Sequence, residues 1–170
     1  MLPLSPGAHP SAVLHSPASE TQAVLSPDGT WLAYASDESG RREVYVRPLS
    51  GRGSRLQAST EGGEGPAWSA DGTELYYYTL ASAPTVARRA VMATQVTRGP
   101  SFKLGIPRLL FEGNFGIGIE FEFEAPRLAV APDGQRFLML TPSDDAADTL
   151  GRLRVINNWV EELKAKVPVK

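Results

Sequence analysis

The sequence predicts an all-β protein made of about three four-stranded antiparallel sheets, and three observations predict it. An Asp-Gly turn recurs as "SPDG" at 26–29, "SADG" at 69–72 and "APDG" at 131–134. Each copy sits between short apolar runs, the pattern of strands entering and leaving a tight turn. Asp28 to Asp71 spans 43 residues and Asp71 to Asp133 spans 62. The first spacing lies in the range of roughly 40–45 residues expected for a four-stranded propeller blade. The second is longer, and the extra length falls between residues 81 and 124. The predicted architecture is therefore a partial β-propeller, with blades at about 20–60, 64–113 and 124–158.

The elements follow in order. Residues 1–19 hold Pro3, Pro6, Pro10 and Pro17, which excludes a helix and leaves at most a short edge strand at 11–15. "TQAVLS" leads into Ser26-Pro27-Asp28-Gly29. Proline presets φ for the first central turn position, aspartate suits the next, and glycine accepts the positive φ that follows. "TWLAYAS", "EVYVRPL" and the weaker "RLQAS" complete a meander, joined by turns at Gly40 and in "GRGS". A sheet this small cannot bury both faces alone.

The pattern restarts at "GPAWSADG", where Ala70 replaces the turn proline while Asp71 and Gly72 remain. "TELYYYTL", the longer "TVARRAVMATQV" and "GIPRLLFEG" supply the other strands of the second unit. The third opens with "APRLAVAPDG", which carries Pro132, Asp133 and Gly134, and continues through "QRFLMLT". After the acidic loop "SDDAAD" it ends in "LGRLRVINNW". Only three strands are clear in this unit, so residues 11–15 are the candidate for a fourth, closing the array. In "NNWVEELKAKVP" an asparagine can cap, Glu161 and Glu162 fall in the first turn, and Lys164 and Lys166 fall in the last. That charge order suits the helix dipole and Pro168 ends it, so a short C-terminal helix is predicted at about 159–166, within a terminal segment 159–168.

Composition narrows the chemistry. The 170 residues are 42% hydrophobic, enough for a core, and the formal charge is −2. A general affinity for nucleic acid, which needs a strongly basic face, is not expected. With no cysteine there is no disulfide, thiolate metal site or cysteine nucleophile. The N-terminus lacks the basic and apolar regions of a secretory signal. No stretch approaches the roughly 18 to 20 apolar residues of a membrane-spanning helix.

The stretches "SPDGTWLAYASDESGRREVYVRPL", "WSADGTELYYY" and "APDGQRFLML…INNWVEELK" closely resemble the TolB-type, WD-repeat-like β-propeller repeat. They resemble most the C-terminal blades that follow the kinase domain in many bacterial serine/threonine protein kinases. The resemblance runs over about residues 2–168. It implies a non-catalytic module for protein–protein interaction or sensing, the C-terminal part of a larger propeller. A complete propeller of that family is expected to have about six or more blades. The kinase's own Gly-rich loop, His-Arg-Asp and Asp-Phe-Gly motifs are absent from this sequence.

Two other readings stand beside it: an accessory propeller gating substrate to a prolyl-oligopeptidase-like hydrolase, and a truncated remnant without separate activity. A nucleophile elbow Gly-x-Ser-x-Gly does not occur, and the two histidines, His9 and His15, lie in the proline-rich lead. Gly113, Gly116 and Gly118 reverse the dinucleotide fingerprint and precede no helix, which reads as a connection between blades. Glu120, Glu122 and Glu124 share one face of an alternating strand; such a row could hold a hard cation or edge an exposed strand over Phe121 and Phe123.

Asp28, Asp71 and Asp133 read as backbone caps of their turns rather than catalytic acids. Trp31, Tyr34, Trp68 and Tyr76–Tyr78 read as packing between blades. No catalytic residue, cofactor or metal is assigned. The expected partner is a protein, with self-association through exposed end faces as a further expectation. The chain as written reads as cytoplasmic, or periplasmic if it belongs to a membrane-anchored parent.

Overall fold

The computed structural model describes residues 9, 12–80, 89–98, 101–113, 115, 128–141 and 152–156, and these form three antiparallel sheets. The first is β1 (Glu20–Leu25), β2 (Trp31–Ser36), β3 (Glu43–Pro48) and β4 (Leu56–Gln57), hydrogen-bonded in chain order. The second holds β5 (Glu64–Trp68), β6 (Glu74–Leu80), β7 (Arg89–Thr97), β8 (Lys103–Leu104) and β9 (Arg108–Gly113). The third is β10 (Leu128–Val130), β11 (Phe137–Thr141) and β12 (Arg152–Ile156).

Apart from the short strand expected at 11–15, each predicted strand within the described residues is present, because alternation and turn chemistry agree locally. The second sheet departs in one respect. Val96 and Thr97 of β7 pair with β8, whereas Arg89–Ala93 pair with β9. β8 and β9 are therefore two pieces of one outer strand, interrupted at Gly105-Ile106-Pro107, where proline has no N–H to offer a ladder. With the pieces counted together, the second sheet is four-stranded, as the repeat requires.

Period-2 alternation decides which side chains meet. On β2, Ala33 faces the second sheet, joining Val44, Val46, Leu75, Tyr77 and Val96 in one buried cluster. On β6, the intervening Tyr76 and Tyr78 face the third sheet and pack with Val91, Leu110, Leu128, Phe137 and Met139. Tyr76 meets Phe137 edge-on, centroids 5.1 Å apart. Burying aliphatic and aromatic side chains of this size stabilises by about 1.5–3 kcal/mol each, so the two seams bind three individually marginal sheets into one array.

The inner strands β1 and β5 each carry a bulge, between Thr21 and Val24 and between Glu64 and Ala67. The bulged residues occupy equivalent repeat positions and share a left-handed backbone, Gln22 at φ +54° and Gly65 at φ +58°. Gly65 N–H donates to Gln22 Oε1 at 2.7 Å, so the side chain of one bulge caps the amide freed by the next.

Three expectations are corrected. Residues 12–15 form no strand; Val13 and Leu14 instead pack on Leu32, Tyr34 and Tyr45 of the first sheet. The first end face is accordingly not exposed: Tyr34 retains 2% of its accessible surface and Tyr45 3%. An apolar pair beside an open aromatic face gains more by covering it than by extending a distant sheet edge, where prolines would interrupt the ladder. Tyr34 consequently packs against Tyr45, at 5.9 Å, and not between sheets. The predicted helix at 159–166, the carboxylate row at 120–124 and the loop at 143–148 lie outside the described residues.

Candidate functional site

The repeated turns are the polar constellations that the sequence brings forward. In the first, Gly29 N–H donates to the Ser26 carbonyl at 2.8 Å and Gly29 takes φ +69°. Asp28 Oδ1 accepts from Ser26 Oγ at 2.6 Å, Thr30 Oγ1 at 2.8 Å and Thr30 N–H at 3.1 Å. Ser26 Oγ in turn accepts Trp31 N–H at 2.9 Å.

The second turn repeats the set with Ser69, Asp71, Thr73 and Glu74. Ala70 does not disturb it, since Gly72 N–H still reaches the Ser69 carbonyl at 2.9 Å. In the third, Ala131 and Gln135 lack the hydroxyls; Asp133 keeps Gln135 N–H at 3.0 Å and gains Arg136 Nε at 3.0 Å.

These bonds favour the ionised carboxylates. Asp28 is held well below the usual carboxylate range, first by the Ser26 hydroxyl and then by Thr30. Asp71 falls from the ordinary 3.8 to about 2, chiefly through Thr73 N–H and then Ser69. Asp133 is lowered mainly by Gln135 N–H. Such carboxylates are caps, far too acidic to shuttle protons near neutral pH.

Three further residues, which the sequence reading did not single out, tie the array together. Arg98, just past β7, donates through Nη1 to Asp28 Oδ2 at 2.9 Å and through Nη2 to the Asp71 carbonyl. One guanidinium thus spans the turns of two sheets. Glu43 is buried, 1% exposed, where Ser59 Oγ, Gly62 N–H (3.0 Å) and Arg41 Nε (2.9 Å) all donate to its carboxylate. Ser59 Oγ also accepts Val44 N–H at 2.8 Å, so this group pins the connection from the first sheet to the second. Glu74 acts within the second sheet, where it accepts from Tyr76 Oη at 2.7 Å and from Arg108, so it links β6 to β9.

Sequence offered one signal for Glu43, its parity with Tyr45 on an otherwise apolar strand. For Arg98 there was none.

A surface cavity of about 280 Å³ lies at the edge of the first sheet, lined by Glu38, Ser39, Tyr45, Arg55 and Gln57. Arg55 Nη1 pairs with Glu38 Oε2 at 2.8 Å and lies 5.5 Å from the Tyr45 ring centroid. Among the described residues no three His, Cys, Asp or Glu side chains are grouped to hold a metal. The predicted Asp-Gly turns are not gathered into one site; only those of the first two sheets are joined, through Arg98. His9 and His15 are exposed in the lead. No described helix is long and apolar enough to cross a membrane.

Stacked antiparallel meanders, the first two four-stranded and the third with three described strands, each with one capped turn, define a β-propeller array. Two solved structures have the same arrangement. TolB from Acinetobacter baumannii matches with a TM-score of 0.56 and 19% identity, over 80% of this chain and 29% of its own. A putative TolB from Agrobacterium tumefaciens matches with a TM-score of 0.54 and 15% identity, over 85% of this chain and 47% of its own. The fold is thus that of part of a TolB-like propeller, and the chain spans less than half the length of either protein. No protein-family model and no curated protein sequence matches the chain.

Proposed function

We propose that this chain is a non-catalytic interaction module, one portion of a larger TolB-like propeller. The observation that carries the reading is the use to which its repeated acids are put. Asp28, Asp71 and Asp133 accept hydrogen bonds from their own turns, which leaves them as scaffold. Stacked blades supported in this way present wide rims, surfaces suited to a protein partner. The resemblance of the repeats to blades carried by bacterial serine/threonine protein kinases supports such a kinase as the parent, with the propeller beyond a membrane anchor in the periplasm.

The test combines binding and turnover. The purified chain, immobilised, is expected to retain a partner saturably and at fixed stoichiometry. It is expected to turn over neither peptide anilides nor ATP. Turnover that co-purifies with the chain and scales with its concentration would overturn the reading.

A further inference from the structure

The carboxylate of Glu38 is only half used. Its Oε2 takes the Arg55 guanidinium at 2.8 Å, whereas Oε1 is closed to solvent and meets no donor among the described residues. A buried charged acceptor without a donor is costlier than a neutral one. The donor that matches it is a guanidinium set square to the carboxylate, with two parallel N–H groups on two oxygens. Arg55 supplies one of the two. Its side chain is 56% exposed, against 13% for Glu38, so the cation is the loosely held member of the pair.

The rest of the cavity suits the same ligand. Arg55 Cζ lies over the Tyr45 ring, 5.5 Å from its centroid, and an aromatic face adds to the attraction for a cation. Ser39 and Gln57 complete the hollow of about 280 Å³. Ser39 Oγ donates to the Arg41 carbonyl at 3.0 Å and Gln57 Nε2 to the Ser59 carbonyl at 2.7 Å, which leaves their oxygens as acceptors. Carboxylate, ring and acceptor oxygens together make a seat for a cation.

The cavity also lies where a propeller seam stays open. Tyr34 and Tyr77 are repeat equivalents, each six residues past its turn aspartate. Tyr34 pairs with Tyr45 and Tyr45 with Gln57, as Tyr77 pairs with Met92 and Met92 with Leu109. Gln57 thus corresponds to Leu109. Leu109 stays 50% exposed although Met92 beside it packs against the first sheet. The outer end of a seam is accordingly reachable whether or not another blade adjoins the first sheet.

We propose that Glu38 and the Tyr45 ring form a seat for an arginine side chain of a protein partner, which Arg55 occupies in the free chain as a stand-in. The inference rests on the interaction-module reading and names the partner's chemistry, a segment with an exposed arginine. Binding is an exchange. The incoming guanidinium bonds both oxygens of Glu38, covers the ring and releases Arg55 to solvent. An internal competitor of this kind lowers the apparent affinity by the fraction of molecules in which it fills the seat.

The experiment is an NMR titration of the isotope-labelled chain with N-acetyl-arginine amide. Saturable shifts are expected at Glu38, Ser39, Tyr45, Arg55 and Gln57, with the rest of the spectrum unmoved. R55A is expected to bind about 2–5-fold more tightly, a modest gain because an exposed ion pair is weak. E38Q, which keeps the shape of the side chain, is expected to lose the saturable shifts. N-acetyl-lysine amide is expected to bind several-fold more weakly, since an ammonium cannot make the paired contact. Unmoved resonances elsewhere show that each variant is folded.

Absence of saturable shifts in both the wild type and R55A would overturn the proposal, as would binding that survives E38Q. Binding to R55A no tighter than to the wild type overturns Arg55 as the stand-in. Equal binding of the lysine amide overturns the guanidinium as ligand. Concentration-dependent dimerisation abolished by E38Q would put an arginine of a second copy in the seat and overturn a separate partner. Retention of a partner by the immobilised chain separates this inference from the reading beneath it. A partner held equally by wild type and E38Q overturns the seat and leaves the module standing; retention of nothing counts against the module, and the arginine titration still decides the seat.

Discussion

Arg98 Nη1 lies 2.9 Å from Asp28 Oδ2, joining the end of the second sheet's long strand to a turn 70 positions earlier. The pair is about one-third exposed at both ends, where screening keeps an ion pair modest. Arg98 also donates to the Asp71 carbonyl, so its loss opens two bonds at one seam. Arg98→Ala is expected to lower the melting temperature by about 2–4 °C at low salt, and by less in 1 M salt, where the ionic part is screened. Thermal melts at the two salt concentrations check this. Equal shifts in both would mean that the guanidinium acts through packing alone.

The Asp71 cap makes stability depend on acid. Its carboxyl has a folded value of about 2 against an ordinary 3.8, a depressed carboxylate. Its contribution is therefore fully present above about pH 4 and is lost as pH falls through 2. Urea midpoints measured between pH 5 and 2 are expected to fall less steeply for Asp71→Asn than for the wild type. Parallel curves would show that this carboxylate is not a source of the acid dependence.

Two glycines separate backbone strain from crowding. Gly29 and Gly65 both have positive φ, at +69° and +58°. A Cβ at Gly29 meets nothing within 4 Å, whereas at Gly65 it would overlap the Tyr78 ring, with Cδ1 at 2.9 Å. Gly29→Ala is expected to cost about 1–2 kcal/mol from the left-handed backbone alone. Gly65→Ala adds overpacking against a buried ring and is expected to cost about 2–4 kcal/mol. Chemical denaturation of both variants checks the ordering.

Glu43 is the buried acid on which the connection between the first two sheets rests. Glu43→Ala leaves Ser59 Oγ and Gly62 N–H without their acceptor and is expected to cost about 2–4 kcal/mol. Glu43→Gln keeps one carbonyl oxygen for Gly62 N–H and is expected to recover about half of that loss. Urea unfolding of the two variants tests the expectation; similar stabilities would assign the effect to packing instead of hydrogen bonding.

What could be read from sequence was local. Ser26-Pro27-Asp28-Gly29 announces a turn because four adjacent side chains and backbones determine it. The alternation in "WLAYAS" and "ELYYYTL" announces strands for the same reason. The spacing of 43 residues then carried the blade from one copy to the next. The missed features depend on partners far along the chain: Arg98 on Asp28, Gly65 on Gln22, Ser59 on Glu43. Placement of the lead failed differently. Val13 and Leu14 were recognisable as apolar, but the face they would choose depended on Tyr34 and Tyr45 lying uncovered at the end of the array.

The broken outer strand of the second sheet bears on how the protein survives at high concentration. An unbroken outer strand offers a row of free amides and carbonyls on which another chain can polymerise into a fibril. Here that row is cut at Gly105-Ile106-Pro107 and shifts register opposite Val91 and Met92. In the first sheet it is only two residues long, Leu56–Gln57. Ile106 stands 91% exposed at the cut, yet the backbone around it offers no continuous template. The rim of these two blades thereby tolerates a greasy side chain without inviting amyloid growth, and repair of the cut by a Pro107 replacement is the change that would remove that protection.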